Sequence, residues 1–234
     1  MPLVAGSGLQ FDLLPGSGPD LVVSFASIGS DRSRPPAYEF WNAAQAGGTR
    51  SVLFVTDARR QWGNTPDFAP LLQRALHLAQ SRQNFQRILY LGQSMGGFVA
   101  LAGAQIAPPT AILAISPQFS ICPTVMPKES RWADWTAQIP AHRFPSVPLP
   151  EGPRRVILHG LCDDRDQAQA FPRMANCDHY LFPRLGHSDL ARHLKTQSLL
   201  PALIDATLDG DRRRMGRLIA TAGGERRKTD QLPR

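Results

Sequence analysis

A chain of 234 residues with 42% hydrophobic content is long enough for one large core and too short for two ordinary domains. No apolar run approaches the ~20 residues of a membrane span, and the N-terminus lacks the basic start and continuous apolar segment of a signal peptide. The formal charge of +7 is concentrated from Asp209 onward, where eight Arg and Lys face four acids with no aromatics interleaved for base stacking, which argues against nucleic acid.

Residues 1–20 hold short apolar bits broken by Gly-Ser-Gly and Pro-Gly-Ser-Gly-Pro, the pattern of a hairpin at a sheet edge. Leu21 to Phe25 reads as a strand covered on both faces, and Tyr38 to Ala46 as a helix stopped by Gly47-Gly48. A second buried strand, Ser51 to Val55, leads into a loop carrying Trp62. An amphipathic helix follows over Asp67 to Gln80. Beyond it come a strand over Ile88 to Leu91, a small-residue helix to Ile106, and a strand over Ala111 to Ile115. Residues 118–150 break this rhythm with six prolines around Trp132 and Trp135, and such an excursion predicts a lid or binding loop. Val156 to His159 resumes the sheet, Gln167 to Ala175 reads as a short helix, and Tyr180 to Phe182 as the last strand. His187 to Leu208 is a helix interrupted near Pro201. Residues 211–234 read as a basic, disordered tail appended to a single domain over 1–210. The alternation predicts an open, mostly parallel sheet with helices on both faces, whose ligands bind beyond the carboxyl ends of the strands.

The chemistry centres on Gly92-Gln93-Ser94-Met95-Gly96-Gly97, placed between a strand and a helix. A serine on so sharp a turn has a strained backbone, and the chain two residues to either side passes too close for a β-carbon. The helix beginning at Met95 points free N–H groups toward Ser94, where an oxyanion would form. A serine hydroxyl needs a base within reach. Of six histidines, His77, His142, His159, His179 and His193 read as packed or solvent-facing, while His187 alone follows the final strand on a loop. The orienting acid should lie between serine and histidine, after a strand. Asp163, Asp164 and Asp166 qualify. Asp163 is favoured by its spacing from Gly160. Asp166 is second, with an N-cap as its ordinary role, and Asp164 last, as a solvated or salt-bridged neighbour.

These three motifs, in this order, resemble the α/β-hydrolase fold in its serine-nucleophile branch, over about residues 20–208. The resemblance implies Ser94 as nucleophile, His187 as base and then acid, and Asp163 as orienting acid. It implies an oxyanion hole from the N–H of Met95 and one of Ala26 or Ser27, Ala26 being preferred. It also implies acyl transfer in two steps on a small-molecule ester or thioester, with no metal or organic cofactor. The loop Asp57 to Asn64 and the Ser116-Pro117-Gln118-Phe119 turn are similar to those of small bacterial members found near polysaccharide-biosynthesis enzymes, which suggests a carbohydrate-linked ester. Trp62, Trp132 and Trp135 are candidates to line an acyl or sugar pocket. An acyltransferase, a peptidase or amidase, and a binding protein retaining the fold are the competing readings. Cysteines 122, 162 and 177, odd in number and without metal-ligand spacing, fit free thiols in a reducing cytoplasm, where no stable membrane insertion is expected.

Overall fold

A computed structural model describes residues 1–228. Its strands are β1 (Pro2–Gly6), β2 (Leu9–Leu14), β3 (Asp20–Phe25), β4 (Ser51–Asp57), β5 (Arg87–Gln93), β6 (Ala111–Ile115), β7 (Arg154–Gly160), β8 (Cys177–Phe182) and β9 (Glu225–Arg226). The helices are α1 (Trp41–Gln45), α2 (Phe68–Gln80), α3 (Met95–Ile106), α4 (Ala133–Thr136), α5 (Arg165–Ala170), α6 (His187–Thr196), α7 (Leu200–Leu208) and α8 (Arg212–Thr221). All nine strands form one sheet in the order β1-β2-β4-β3-β5-β6-β7-β8-β9. The six strands from β4 across to β8 run parallel, while β1, β2 and β9 pair antiparallel at the edges.

Both faces of the sheet are buried, so its central strands read as continuous apolar runs. Val23, Phe25 and Tyr90 pack on one face with Leu72 of α2 and Phe98 of α3. Val22, Leu89 and Leu91 pack on the other with Leu194 of α6, Leu203 of α7 and Met215 of α8. Truncating one such leucine to alanine costs about 2–5 kcal/mol. The chain leaves β3 toward β4 on one side and crosses back to β5 on the other, so the strand order reverses beside β3. Ligands of open parallel sheets bind at the carboxyl edge of such a reversal.

Two expectations need correction here. The stretch from residue 211 is not an appended disordered tail over its described part. Asp211 caps α8 by accepting the Arg214 N–H at 2.8 Å, and Met215 and Ile219 enter the core. Several of the basic residues are paired: the buried Asp178 accepts Arg212 at 2.9 Å and Arg226 at 2.8 Å. Arg226 also sits in β9, which closes the sheet edge after β8. Charge counting concealed the apolar positions of a half-buried helix. Residues 229–234 of the predicted tail lie outside the described residues. The helix expected from Tyr38 begins only at Trp41, because Phe40 takes a left-handed φ of 59°.

Candidate active site

Ser94 stands between β5 and α3 with φ 54° and ψ −123°, a conformation disfavoured for a residue bearing a β-carbon. The glycines on either side make the turn possible. A β-carbon on Gly92 would meet the Gly96 carbonyl, and one on Gly96 would meet the carbonyl of Phe25. The α3 terminus is therefore pressed against the end of β3, where Phe25 pairs with Gly92.

His187 opens α6 after the β8 turn, and its Nε2 lies 2.7 Å from Ser94 Oγ. Its Nδ1 lies 2.7 Å from Oδ2 and 2.9 Å from Oδ1 of Asp164. Thus the acid on the imidazole is Asp164. Asp163, the favoured candidate, instead accepts the His187 backbone N–H at 2.6 Å, which holds the turn and not the ring. Asp166 lies inside the first turn of α5. The three acids lie within one turn and the start of one helix, so a single residue of offset decides which carboxylate faces the ring. Burial pushes the Asp164 carboxyl up. The hydrogen bond from His187 and the charge of Arg131, 2.9 Å away, outweigh it and hold the carboxyl below its ordinary range.

Ser94, Asp164 and His187 are 4%, 1% and 8% exposed, so the line is almost sealed from water. Part of the cover comes from the Pro-rich excursion. Arg131 reaches Asp164 and lies over Trp132 at 4.3 Å, and the Trp132 ring centroid is 5.1 Å from that of His187. The excursion is itself clamped by Gln167 of α5, which accepts the N–H groups of Phe119 and Ser120 and donates to Glu129.

The other two tryptophans do not line a pocket with it. Trp62 is fully buried, in the core that also holds Phe68 and Phe98. Trp135 is held between the guanidinium groups of Arg32 and Arg60, at 4.7 and 4.6 Å. Trp62 nevertheless matters to the site, through a residue that sequence reasoning had not placed there. Its indole N–H donates to Gln118 Oε1 at 3.2 Å, and Gln118 Nε2 donates to Ser94 Oγ at 3.1 Å. An indole N–H can only donate, so it fixes which end of the amide faces the serine. The signal available in sequence was a polar residue just past the end of β6, beside β5.

The N–H expected as the second oxyanion donor is taken up within the sheet. The Ala26 N–H is committed to the Val55 carbonyl at 2.9 Å, extending the β3–β4 ladder. Ser27, the alternative, is the next residue along, and both its hydroxyl and its backbone N–H are turned to the Glu39 carboxylate. Met95 begins α3, where helix geometry supplies no carbonyl partner for its N–H. Among the described residues no group of three or more His, Cys, Asp or Glu side chains is arranged to hold a metal ion.

With this arrangement in place, residues 42–206 match the family described as serine aminopeptidase, S33. The chain belongs to this α/β-hydrolase family. Solved structures similar to it share the fold at low identity. A capsule O-acetyltransferase of Neisseria meningitidis serogroup A is 14% identical with a TM-score of 0.56, covering 84% of this chain and 92% of its own. The butyrate-bound esterase Est2 of Thermogutta terrifontis is 14% identical with a TM-score of 0.54, covering 87% and 90%. An α/β serine hydrolase without lid from Xanthomonas campestris is 15% identical with a TM-score of 0.53, covering 91% and 93%. No curated protein matches the sequence. Among the described residues no helix is long and apolar enough to cross a membrane.

Proposed function

We propose that this hydrolase is a serine esterase acting on a small carboxylic ester or thioester through Ser94, His187 and Asp164. The observation that carries the reading is the unbroken line from Ser94 Oγ to His187 Nε2, and from His187 Nδ1 to Asp164, each at 2.7 Å. Ser94 Oγ attacks the carbonyl carbon and passes its proton to His187 Nε2. The tetrahedral oxyanion is held by the N–H group of Met95, a donor of this kind being worth about 3–4 kcal/mol in the transition state. The imidazolium returns its proton to the departing alcohol or thiol, leaving the acyl group on Ser94. Water then gives a proton to His187 and attacks the acyl carbon. The acid departs as Ser94 is reprotonated. Asp164 holds the imidazole tautomer that presents Nε2 as a base.

A second reading, transfer of the acyl group to an alcohol, is favoured by the burial of the line. A nucleophile only 4% exposed, bonded to Gln118 and beside a His187 ring packed on Trp132, admits water poorly until the acceptor arrives. The O-acetyltransferase among the structural relatives is consistent with it. Labelling by a fluorophosphonate probe, read by intact mass, tests the common first step. A single adduct on the native chain and none on Ser94→Ala is expected, followed by turnover of aryl esters and little on amino-acid p-nitroanilides. Preference for the anilides would move the activity to a peptidase. No adduct on folded protein would leave a binding protein that retains the fold.

A further inference from the structure

Beside the buried line runs an open groove of ≈720 Å³, within the range of ligand sites. Its wall includes Gln93 and Ser188, the chain neighbours of Ser94 and His187, so it flanks the reacting atoms without containing them. Two of the molecule's few exposed large apolar side chains, Tyr38 at 39% and Trp41 at 42%, line this same groove. Both are held rigidly. Tyr38 and Trp41 stack on Phe54 with centroids 4.6 and 4.9 Å away and planes within 20° and 8° of parallel, and the Tyr38 hydroxyl donates to Asp12 at 2.6 Å. A preorganised aromatic face left in water in a concave surface fits a ligand with an apolar face of its own.

The rest of the wall is mixed, with Leu200 and Pro201 apolar and Arg192 and Lys195 cationic. Asn42, Gln93 and Ser188 offer amide and hydroxyl groups. Glu39 accepts the Ser27 hydroxyl and lies against the Ser27 backbone N–H, which ties the groove wall to the loop after β3. Flat aromatic faces among hydroxyl-seeking side chains match the two surfaces of a sugar ring, its C–H face and its equatorial hydroxyls. We propose that this groove binds the carbohydrate alcohol portion of the substrate, with Trp41 as the stacking platform and Asn42, Gln93 and Ser188 as hydroxyl partners. The proposal rests on the ester chemistry assigned to Ser94, and it places the sugar on the side of Gln93 and Ser188.

The test compares kcat/KM for 6-O-acetyl-glucose, which keeps its ring hydroxyls free, with that for phenyl acetate in native protein, Trp41→Ala and Trp41→Phe. The preference for the acetylated sugar should fall about 10-fold or more in Trp41→Ala and recover largely in Trp41→Phe, which keeps a ring over Phe54. A preference that stays within about twofold in Trp41→Ala overturns the proposal. A second arm separates it from the hydrolase reading. Ser94→Ala is titrated with maltotetraose and chitotetraose while tryptophan fluorescence is followed. Saturable quenching that disappears when Trp41→Phe is added supports the groove even if no ester is turned over. Ester turnover with neither sugar quenching Ser94→Ala counts against the groove while leaving the esterase intact.

Discussion

Two histidine sites, one at the start of α6 and one shared by β7 and β8, are built on opposite principles. His187 has a carboxylate on one nitrogen and a hydroxyl on the other. His159 of β7 and His179 of β8 have no carboxylate hydrogen-bonded to either ring. His159 Nδ1 lies 2.8 Å from His179 Nε2, His159 Nε2 lies 2.8 Å from the Pro117 carbonyl, and His179 Nδ1 lies 3.2 Å from Arg227. Arginine only donates and a carbonyl only accepts, so one assignment satisfies the whole chain. Arg227 donates to His179 Nδ1, His179 Nε2–H donates to His159 Nδ1, and His159 Nε2–H donates to Pro117. Both rings are therefore neutral. Burial pushes His159 down to about 4 and His179 well below its ordinary value. The lesson is that a carboxylate, and not burial, marks the histidine built to carry a proton.

The largest effect should come from breaking the first site. Asp164→Asn leaves the side-chain volume in place but offers His187 the wrong tautomer, and kcat should fall by about 10⁴. Asp163→Asn removes only part of a bond to the His187 backbone N–H, so its loss should stay within about 10-fold. Steady-state kinetics on one aryl ester, with melting temperatures alongside, measures both. Equal losses would mean that the turn holding His187, rather than the tautomer of its ring, limits the reaction.

The second effect separates the sites by pH. A histidine with a depressed native pKa binds a proton in the unfolded chain before it does so in the folded one. Its stabilisation is therefore full above the unfolded value of about 6.5 and is lost as pH falls through the folded value. For His159 that window runs from about 6.5 to about 4, with a slope of about 1.4 kcal/mol per pH unit. His179 shares the upper limit and the direction. Urea unfolding at pH 7, 6 and 5 should show the decline. His159→Gln, which retains a donor toward Pro117, should flatten it by one histidine's share. Asp164 acts lower. Its depressed pKa leaves its stabilisation intact above the ordinary carboxylate range, to be lost only in acid below it.

How far these sites could be read in the sequence depends on how local their causes are. The strained turn at Ser94 was legible because its constraints lie within five residues: Gly92 and Gly96 are needed where the backbone passes, and Ser94 sits between them. The parallel sheet was legible because strands buried on both faces show as apolar runs. The acid was not, since Asp163 and Asp164 differ only by the direction in which one turn presents them. The groove was hidden by the left-handed Phe40, which ends a helical reading of Tyr38 to Ala46 and turns Tyr38 and Trp41 onto Phe54. The Ala26 N–H looked available until β4 was placed beside it. Pairing across strands is the information that a single chain read in order lacks.

The smallest effect tests where the two sites meet. The neutral histidine chain ends on the carbonyl of Pro117, and the next residue, Gln118, donates to Ser94. One turn is thus gripped from below by His159 and from the side by Trp62. Trp62→Phe keeps most of the buried ring and removes the one donor that orients the Gln118 amide. With that donor gone the amide is free to flip, and its oxygen would then face Ser94 Oγ and compete with His187 for the serine proton. Turnover should fall by a few fold, up to about 10-fold, for the loss of one neutral hydrogen bond. Gln118→Leu should match it, because both changes remove the same donor from Ser94 Oγ. The double variant should then add little to either single one, a coupling that kcat measured across the four proteins reports directly. Full additivity would mean that Trp62 serves only to fill the core, and that the turn is set from His159 alone.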